Sequence, residues 1–153
     1  MAKVRLYPEL EVPEMLLADR RSAYGLRTYV SLFSSAGVGC YGFKEEGFYC
    51  VATVELLERR LKIQKFNQKC VYNSGYICGD MTTQETKDKV FAELAMWERG
   101  FNLTDLDVLI ATPPCQGMSV ANHKKKDELK RNSLVVESIK MTQQILSLIH
   151  ISE

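Results

Sequence analysis

One cysteine of this sequence stands on a stiffened loop, where its thiol could act as a nucleophile. Pro113 and Pro114 directly precede Cys115, and Gly117 provides a turn just beyond it. Proline fixes the backbone φ angle, so two prolines hold the approach to the thiol rigid. A nucleophilic thiol needs exposure and a lowered pKa, and a rigid loop supplies the exposure. We therefore predict that Cys115 is catalytic. The alternative, a redox thiol, lacks a resolving cysteine nearby in the sequence.

A glycine-rich turn predicts a nucleotide-type ligand. Gly37, Gly39 and Gly42 form a G-x-G-x-x-G pattern, which allows a tight turn and a close approach of ligand to backbone. Glu55 follows Gly37 by 18 positions and could accept hydrogen bonds from both ribose hydroxyls, while Asp80 could accept one from an adenine amine. The glycine-rich turn alone does not distinguish between two possible ligands, NAD and S-adenosylmethionine. NAD requires an anion site for its pyrophosphate at a helix N-terminus, whereas S-adenosylmethionine carries no phosphate.

Alternating strands and helices would position these residues. Apolar, β-branched runs predict strands, and periodic runs predict helices. We predict strands at 27–33, 49–54, 76–78 and 106–111, helices at 38–47, 56–67, 83–99 and 133–148, an irregular lead-in over 1–27 and a loop over 112–131. This order implies an α/β fold with a parallel sheet and helices on both faces. Ligands of such sheets bind at the carboxyl ends of the strands, where each candidate residue falls.

Two details of packing follow from the same patterns. In the helix at 56–67, Leu57, Leu61 and the pair Ile63 and Phe66 are predicted to form the buried face. Cys40, Cys50 and Cys78 are expected to be small core side chains, and Cys70 a loop thiol.

The composition excludes several classes of protein. The chain is 46% hydrophobic and 25% charged with a formal net charge of +1, which is typical of a globular domain and points to no charge-driven partner. It has five cysteines and two histidines without C-x-x-C or other ligand spacing, so we expect no metal site. No apolar run approaches the roughly 20 residues of a membrane span, and the first residues do not resemble a secretory signal. We expect a cytoplasmic protein with free thiols and no membrane partner.

At the residues singled out above, the chain closely resembles the DNA cytosine-5 methyltransferase family. Residues 31–39 resemble the family's first motif, and Glu55 matches the acidic residue that binds the ribose. Residues 79–81 resemble the segment that binds adenine. Residues 113–119 resemble the motif of the nucleophile, and residues 131–134 resemble the motif that follows it. The resemblance spans residues 28–140. It implies a Rossmann-like S-adenosylmethionine-dependent methyltransferase fold over 28–148, with an incomplete sheet and a tail at 149–153 that does not match.

The resemblance also implies roles for individual residues. Those implied to bind the cofactor S-adenosylmethionine are Phe33, Ala36, Gly37, Gly39, Glu55, Leu56, Asp80, Met81 and Pro113. Those implied to bind the substrate, double-stranded DNA with a flipped cytosine, are Pro114, Gln116, Ser119 and Arg131. Cys115 would add to carbon 6 of the cytosine, and carbon 5 would then take the methyl group.

Two positions depart from the family's first motif, since Ser31 stands where the family usually has Asp and Ser35 where it has Gly. Ser119 favours DNA as the substrate, because related transfer-RNA methyltransferases usually carry Thr there. The run His123–Lys126 either contacts DNA phosphates or is a solvated charged loop, and the sequence favours neither interpretation.

The family's Glu-Asn-Val motif, which supplies a catalytic acid, does not occur in the sequence. We therefore expect the isolated chain to be catalytically silent. We also expect the fourth strand to lie at an open sheet edge, which would make the isolated chain marginally stable. One alternative is a non-catalytic cofactor-binding half that needs a second polypeptide. Another is a fragment of an NAD-binding oxidoreductase, which would leave residues 113–119 unexplained.

Overall fold

Strands and helices alternate along the chain, as predicted. The computed structural model describes residues 26–101, 105–114 and 128–150, the last range with side chains from 133 to 145. The strands are β1 (Thr28–Leu32), β2 (Tyr49–Glu55), β3 (Tyr76–Cys78) and β4 (Val108–Ala111). The helices are α1 (Tyr41–Glu45), α2 (Glu58–Phe66), α3 (Gln84–Phe101) and α4 (Glu128–His150), with short 3-10 turns at Val38–Cys40 and Asn73–Gly75.

The four strands form one parallel sheet in the order β3-β2-β1-β4. β1 is buried at all five of its positions, because β2 and β4 flank it and helices cover it. β4 is only half-buried, because it lies at an edge of the sheet within the described part of the chain. This is the edge position that the sequence predicts for the fourth strand.

Helices cover both faces of the sheet. Successive side chains of a strand point to opposite faces, and β1 divides accordingly. Val30 and Leu32 pack in a core with Trp97 of α3 and Met141 of α4. On the other face, Tyr29 packs in a second core with Cys40, Cys50 and Cys70, against which Phe43 of α1 and Phe48 are placed. The α/β class and its two-sided layering are therefore confirmed.

The buried face of α2 differs from the predicted one. Ile63 and Phe66 are 47% and 87% exposed, whereas Leu61 and Gln64 are buried. The prediction is confirmed for Leu61 and was wrong for Ile63 and Phe66, because it followed apolar side chains alone. The amide of Gln64 takes the other inner position and hydrogen-bonds beneath the neighbouring turn.

Three further expectations need correction. α4 begins at Glu128, so Arg131 lies within the helix and not in a loop before it. Cys70 is buried because it bridges to Cys50 of β2, and Cys78 is exposed because it ends β3 at the rim of the sheet.

Among the described helices, none is long and apolar enough to cross a membrane.

An ion pair fastens α4 to α3. Lys87 donates to Glu137 Oε2, and Lys140 Nζ donates to Glu137 Oε1 at 3.0 Å. The side chains of Lys87 and Glu137 are only 11% and 15% exposed. The hydrogen bond from Lys87, and then that from Lys140, lowers the pKa of the Glu137 carboxyl.

We expect Lys87→Met to lower the free energy of unfolding by about 1–2 kcal/mol at pH 7. Because the folded state has the lower pKa at Glu137, the pair stabilises the fold above the carboxyl's unfolded pKa, and this contribution is lost as pH falls through the folded pKa. The difference from the wild type should therefore shrink between pH 5 and pH 3 in urea titrations. Lys89→Met is the control, because Lys89 pairs with Glu85 on the exposed side of α3 and should matter little. An effect independent of pH would contradict the assignment to this pair.

Candidate functional site

A cavity of about 420 Å³ opens where the carboxyl ends of the strands meet. Its volume lies within the roughly 300–1,000 Å³ of small-molecule sites. The cavity is lined by Phe33, Ser35, Val54, Glu55, Leu56, Leu57, Arg60, Gly79, Asp80, Met81, Thr112, Pro114 and Leu134. The position agrees with the rule that parallel sheets bind ligands at this edge.

The cavity wall contains a buried carboxylate, that of Glu55 at the last position of β2. Its side chain is 6% exposed. Oε2 accepts a hydrogen bond from the backbone N–H of Ser35 at 2.8 Å, and Oε1 accepts one from the N–H of Leu57 at 3.1 Å. Arg60 Nη1 lies 3.4 Å from Oε1. A buried carboxylate needs such partners, and since each oxygen has two lone pairs, Oε2 can accept a further donor.

The turn after β1 holds the Ser35 N–H in place through a strained backbone. Phe33, Ser35 and Gly37 have φ angles of 55°, 50° and 86°. Ser34 anchors the turn, because its N–H and Oγ both donate to the carbonyl oxygen of Val54 at 3.0 Å. Left-handed non-glycine residues cluster at binding sites, where the surroundings enforce them.

The strain at Ser35 gives a prediction for stability. A side chain at φ 50° is unfavourable and glycine is not, so Ser35→Gly should raise the free energy of unfolding by up to about 1 kcal/mol. Ser35→Ala retains a Cβ in the same backbone and should give no gain. Thermal and urea unfolding of the three proteins would measure this. A glycine variant no more stable than the alanine variant would show that the turn is unstrained.

A buried amide supports this turn from below. Gln64 of α2 is 1% exposed. Its Nε2 donates to Ser34 Oγ at 2.9 Å and to the carbonyl oxygen of Ser35 at 2.6 Å, and its Oε1 accepts from Thr53 Oγ1 at 2.8 Å. Lys69 Nζ donates to the same hydroxyl at 3.0 Å. Sequence reasoning missed Gln64, and the available signal was its position three residues after Leu61 on the same helical face.

The two glycines of the first motif differ in their surroundings. A Cβ added at Gly37 would lie 3.0 Å from Gln64 Cγ, whereas one added at Gly39 would meet nothing within 4 Å. Ala36 and Gly37 line a second cavity of about 420 Å³ on the α1 and α2 side of the turn. Gly39 lines neither cavity. Of the residues of the first motif implied to bind the cofactor, Phe33 lines the first cavity, whereas Ala36, Gly37 and Gly39 do not.

The segment after β3 forms another wall of the first cavity. Asp80 is exposed, and its Oδ1 accepts from the N–H and Oγ1 of Thr82 at 2.9 and 2.8 Å, just before α3 begins. Met81 is 2% exposed and joins the core. Gly79 is required here, because a Cβ would lie 2.3 Å from Thr86 Oγ1. Asp80, Met81, Glu55 and exposed Leu56 are therefore brought together around one space.

The end of β4 leads the chain to the same cavity. Thr112 donates from its N–H to the carbonyl oxygen of Leu32 at 3.2 Å and from Oγ1 to that of Phe33 at 3.0 Å. Half-buried Pro113 follows, and Pro114 lines the cavity. The remaining predicted site residues, Cys115, Gln116 and Ser119, lie outside the described residues, and the side chain of Arg131 is not among those described. His123–Lys126 lie outside them too.

Within the described ranges, no group of three or more His, Cys, Asp or Glu side chains could hold a metal ion.

Comparison with known proteins agrees with the resemblance seen in the motifs. Three relatives each align with 76% of this chain. They are the Type II methyltransferases M1.HgaI of Avibacterium volantium (35% identical, 31% of its length), M.XorII of Xanthomonas oryzae pv. oryzae (29%, 25%) and M.AquIA of a Picosynechococcus strain (30%, 44%). The chain thus spans less than half the length of each. No solved structure matches.

A family model described as C-5 cytosine-specific DNA methylase matches residues 27–149, which include all four strands and the cavity between their ends. The family has the Rossmann-like fold that the alternating strands and helices predict. The chain belongs to the C-5 cytosine-specific DNA methylase family.

Proposed function

We propose that this chain is the cofactor-binding and nucleophile-bearing part of a DNA cytosine-5 methyltransferase, and that its cavity binds S-adenosylmethionine. The observation that carries the proposal is the Glu55 carboxylate, buried in the cavity wall and fixed by the N–H groups of Ser35 and Leu57. A fixed acceptor at the end of the second strand suits a ribose, whose two hydroxyls are paired donors.

The other lining residues fit the rest of the cofactor. Asp80 would accept from the adenine amine, because it lines the cavity just after β3 and its Oδ2 can accept a further donor. Phe33, Leu56 and Met81 provide apolar surface beside it. When bound, S-adenosylmethionine supplies an electrophilic methyl group on its sulfonium. The main task of these side chains is then to orient that methyl group towards the segment beginning at Pro114.

The proposed chemistry uses Cys115 as the nucleophile. Its thiolate adds to carbon 6 of a cytosine flipped out of double-stranded DNA, forming an S–C bond. The addition opens the double bond between carbons 5 and 6, so carbon 5 becomes nucleophilic. Carbon 5 would then attack the methyl group, whose bond to the sulfonium sulfur breaks and leaves a neutral thioether. A base then removes the proton on carbon 5, and the thiolate leaves as the ring double bond reforms. Pro114, Gln116, Ser119 and Arg131 are proposed to hold the cytosine and its strand.

Calorimetric titration of the chain with S-adenosylmethionine and with NAD tests the cofactor. We expect binding of S-adenosylmethionine at one site and none of NAD. Glu55→Gln replaces one acceptor oxygen of the buried carboxylate by an amide that donates. This change should weaken the binding of S-adenosylmethionine by about 10–100-fold. Glu58→Gln is the matched control, because Glu58 is exposed on α2, does not line the cavity and pairs with exposed Lys62 at 3.8 Å. Binding of NAD, or equal affinities of the Glu55 variant and the wild type, would refute the assignment of the cavity.

A further inference from the structure

Two buried thiols face each other at the end of β2 opposite to Glu55. Cys50 is the second residue of β2. Cys70 precedes β3 and forms a parallel bridge with Cys50. Their sulfur atoms are 3.5 Å apart, and both are free thiols. We propose that Cys50 and Cys70 are a modification site, which a hydroperoxide oxidises to a reversible disulfide. The pair takes no part in the proposed methyl transfer, so either proposal can fail without the other.

The backbone already has the spacing of a disulfide. Neighbouring strands lie about 4.8 Å apart, which falls within the roughly 4.4–6.8 Å between the Cα atoms of disulfide-bonded cysteines. The sulfur atoms need to approach by only about 1.5 Å to reach bonding distance. Gly75 packs closely against Cys70, where a side chain would crowd the pair. A Cβ there would lie 3.4 Å from Cys70 Sγ and 2.6 Å from the carbonyl oxygen of Val51.

A small oxidant can reach the pair. A cavity of about 510 Å³, which Lys69 and Tyr76 also line, is bounded by both cysteines. This volume is far greater than a hydroperoxide group requires, since one water molecule occupies about 30 Å³ of the liquid. Burial of the two thiols from bulk solvent is therefore compatible with their reaction.

The surroundings make Cys50 the attacking thiol. Burial acts to raise the pKa of Cys50, but the hydrogen bond from Cys70 and the positive charge of Lys69 outweigh it, so that the pKa is lowered. Burial, and then the hydrogen bond and charge of Cys50, raise the pKa of Cys70. The thiolate is the reactive form of cysteine, so Cys50 reacts first and Cys70 second.

The oxidation proceeds in two balanced steps. The Cys50 thiolate attacks an oxygen of the hydroperoxide, the O–O bond breaks, and Cys50 becomes a sulfenic acid as hydroxide or alkoxide leaves. Cys70 then gives up its proton, and its sulfur attacks Cys50 Sγ. The S–O bond breaks and water leaves. With hydrogen peroxide, two thiols are oxidised by two electrons and the peroxide is reduced to two molecules of water.

The experiment treats the full, folded chain with hydrogen peroxide, blocks remaining thiols and maps tryptic peptides by mass. We expect the loss of two hydrogens and a cross-link between residues 45–59 and 70–87, reversed by dithiothreitol. The oxidised chain should also melt at a higher temperature than the reduced chain, because the bond closes the loop containing α2. The second peptide also contains Cys78, so fragmentation must assign the link to Cys70.

Variants sharpen the assignment. Cys78→Ser should retain the cross-link, because Cys78 is exposed and its Sγ contacts the carbonyl oxygen of Leu56 instead. Cys50→Ser and Cys70→Ser should each abolish it. The wild-type mapping stands even where a variant fails to fold. A link through Cys78, overoxidation of Cys50 without a cross-link, or no reaction in the folded chain would each overturn the proposal.

Discussion

Replacing Gly37 by alanine is expected to lower the free energy of unfolding by about 2–4 kcal/mol. Two costs add. The φ angle of 86° is strained for any residue with a Cβ. The new methyl group would also lie 3.0 Å from Gln64 Cγ, so the amide must shift. Its bonds to Ser34 Oγ and the Ser35 carbonyl would then weaken in a buried site, where unpaired polar groups are costly.

Urea unfolding followed by circular dichroism measures this effect. The matched control is Gly39→Ala, two residues along in the same pattern. An added Cβ there contacts nothing within 4 Å, and glycine has no advantage at its φ angle, so the change should stay within about 0.5 kcal/mol. If both variants lost the same stability, the turn would not depend on the fit between Gly37 and Gln64.

Replacing Cys115 by serine is expected to reduce methyl transfer to DNA by at least about 10³-fold, the scale on which removal of a catalytic nucleophile acts. A serine hydroxyl ionises far less readily than a thiol and adds poorly to carbon 6. Since the Glu-Asn-Val motif is absent from the 153 residues, the assay combines the chain with a second polypeptide that supplies this motif. Transfer of a labelled methyl group to DNA is then measured.

Two controls separate chemistry from folding. Cys78→Ser removes an exposed thiol that does not line the cavity, and should leave the rate unchanged. Cys115→Ser itself should still bind S-adenosylmethionine in the calorimeter. The chain alone should bind the cofactor without methylating DNA. A serine variant that methylated at the wild-type rate would exclude Cys115 as the nucleophile.

The sequence predicts best where one local pattern decides the outcome. Apolar runs such as Val108–Ala111 form strands, and the rule that ligands meet the carboxyl ends of parallel strands brings Glu55 and Asp80 to one cavity. The positions of residues along the chain are sufficient to predict this shared cavity, because the topology of a parallel sheet places the ends of consecutive strands together. The residue types then restrict which ligand groups can bind.

The sequence predicts poorly where two distant segments determine each other's environment. The polar side chain of Gln64 looks like a surface residue until the Ser34–Ser35 turn is placed above it. Cys50 and Cys70 lie opposite each other because of the register between β2 and the segment before β3. The number of residues between the two cysteines does not determine that register. Phe66 shows the reverse error, since an aromatic side chain at helical spacing is 87% exposed.

The sheet order also delays the complete pairing of β1 while the chain is being synthesised. Tyr29 of β1 pairs with Val108 of β4, which the ribosome adds 79 residues later. At about 5–20 residues per second, this delay is roughly 4–16 s. Until then one side of β1 has no native neighbour, although β2 is already available on the other side. The nascent chain therefore exposes the backbone of its most buried strand for seconds, and this interval is when a ribosome-associated chaperone would matter most.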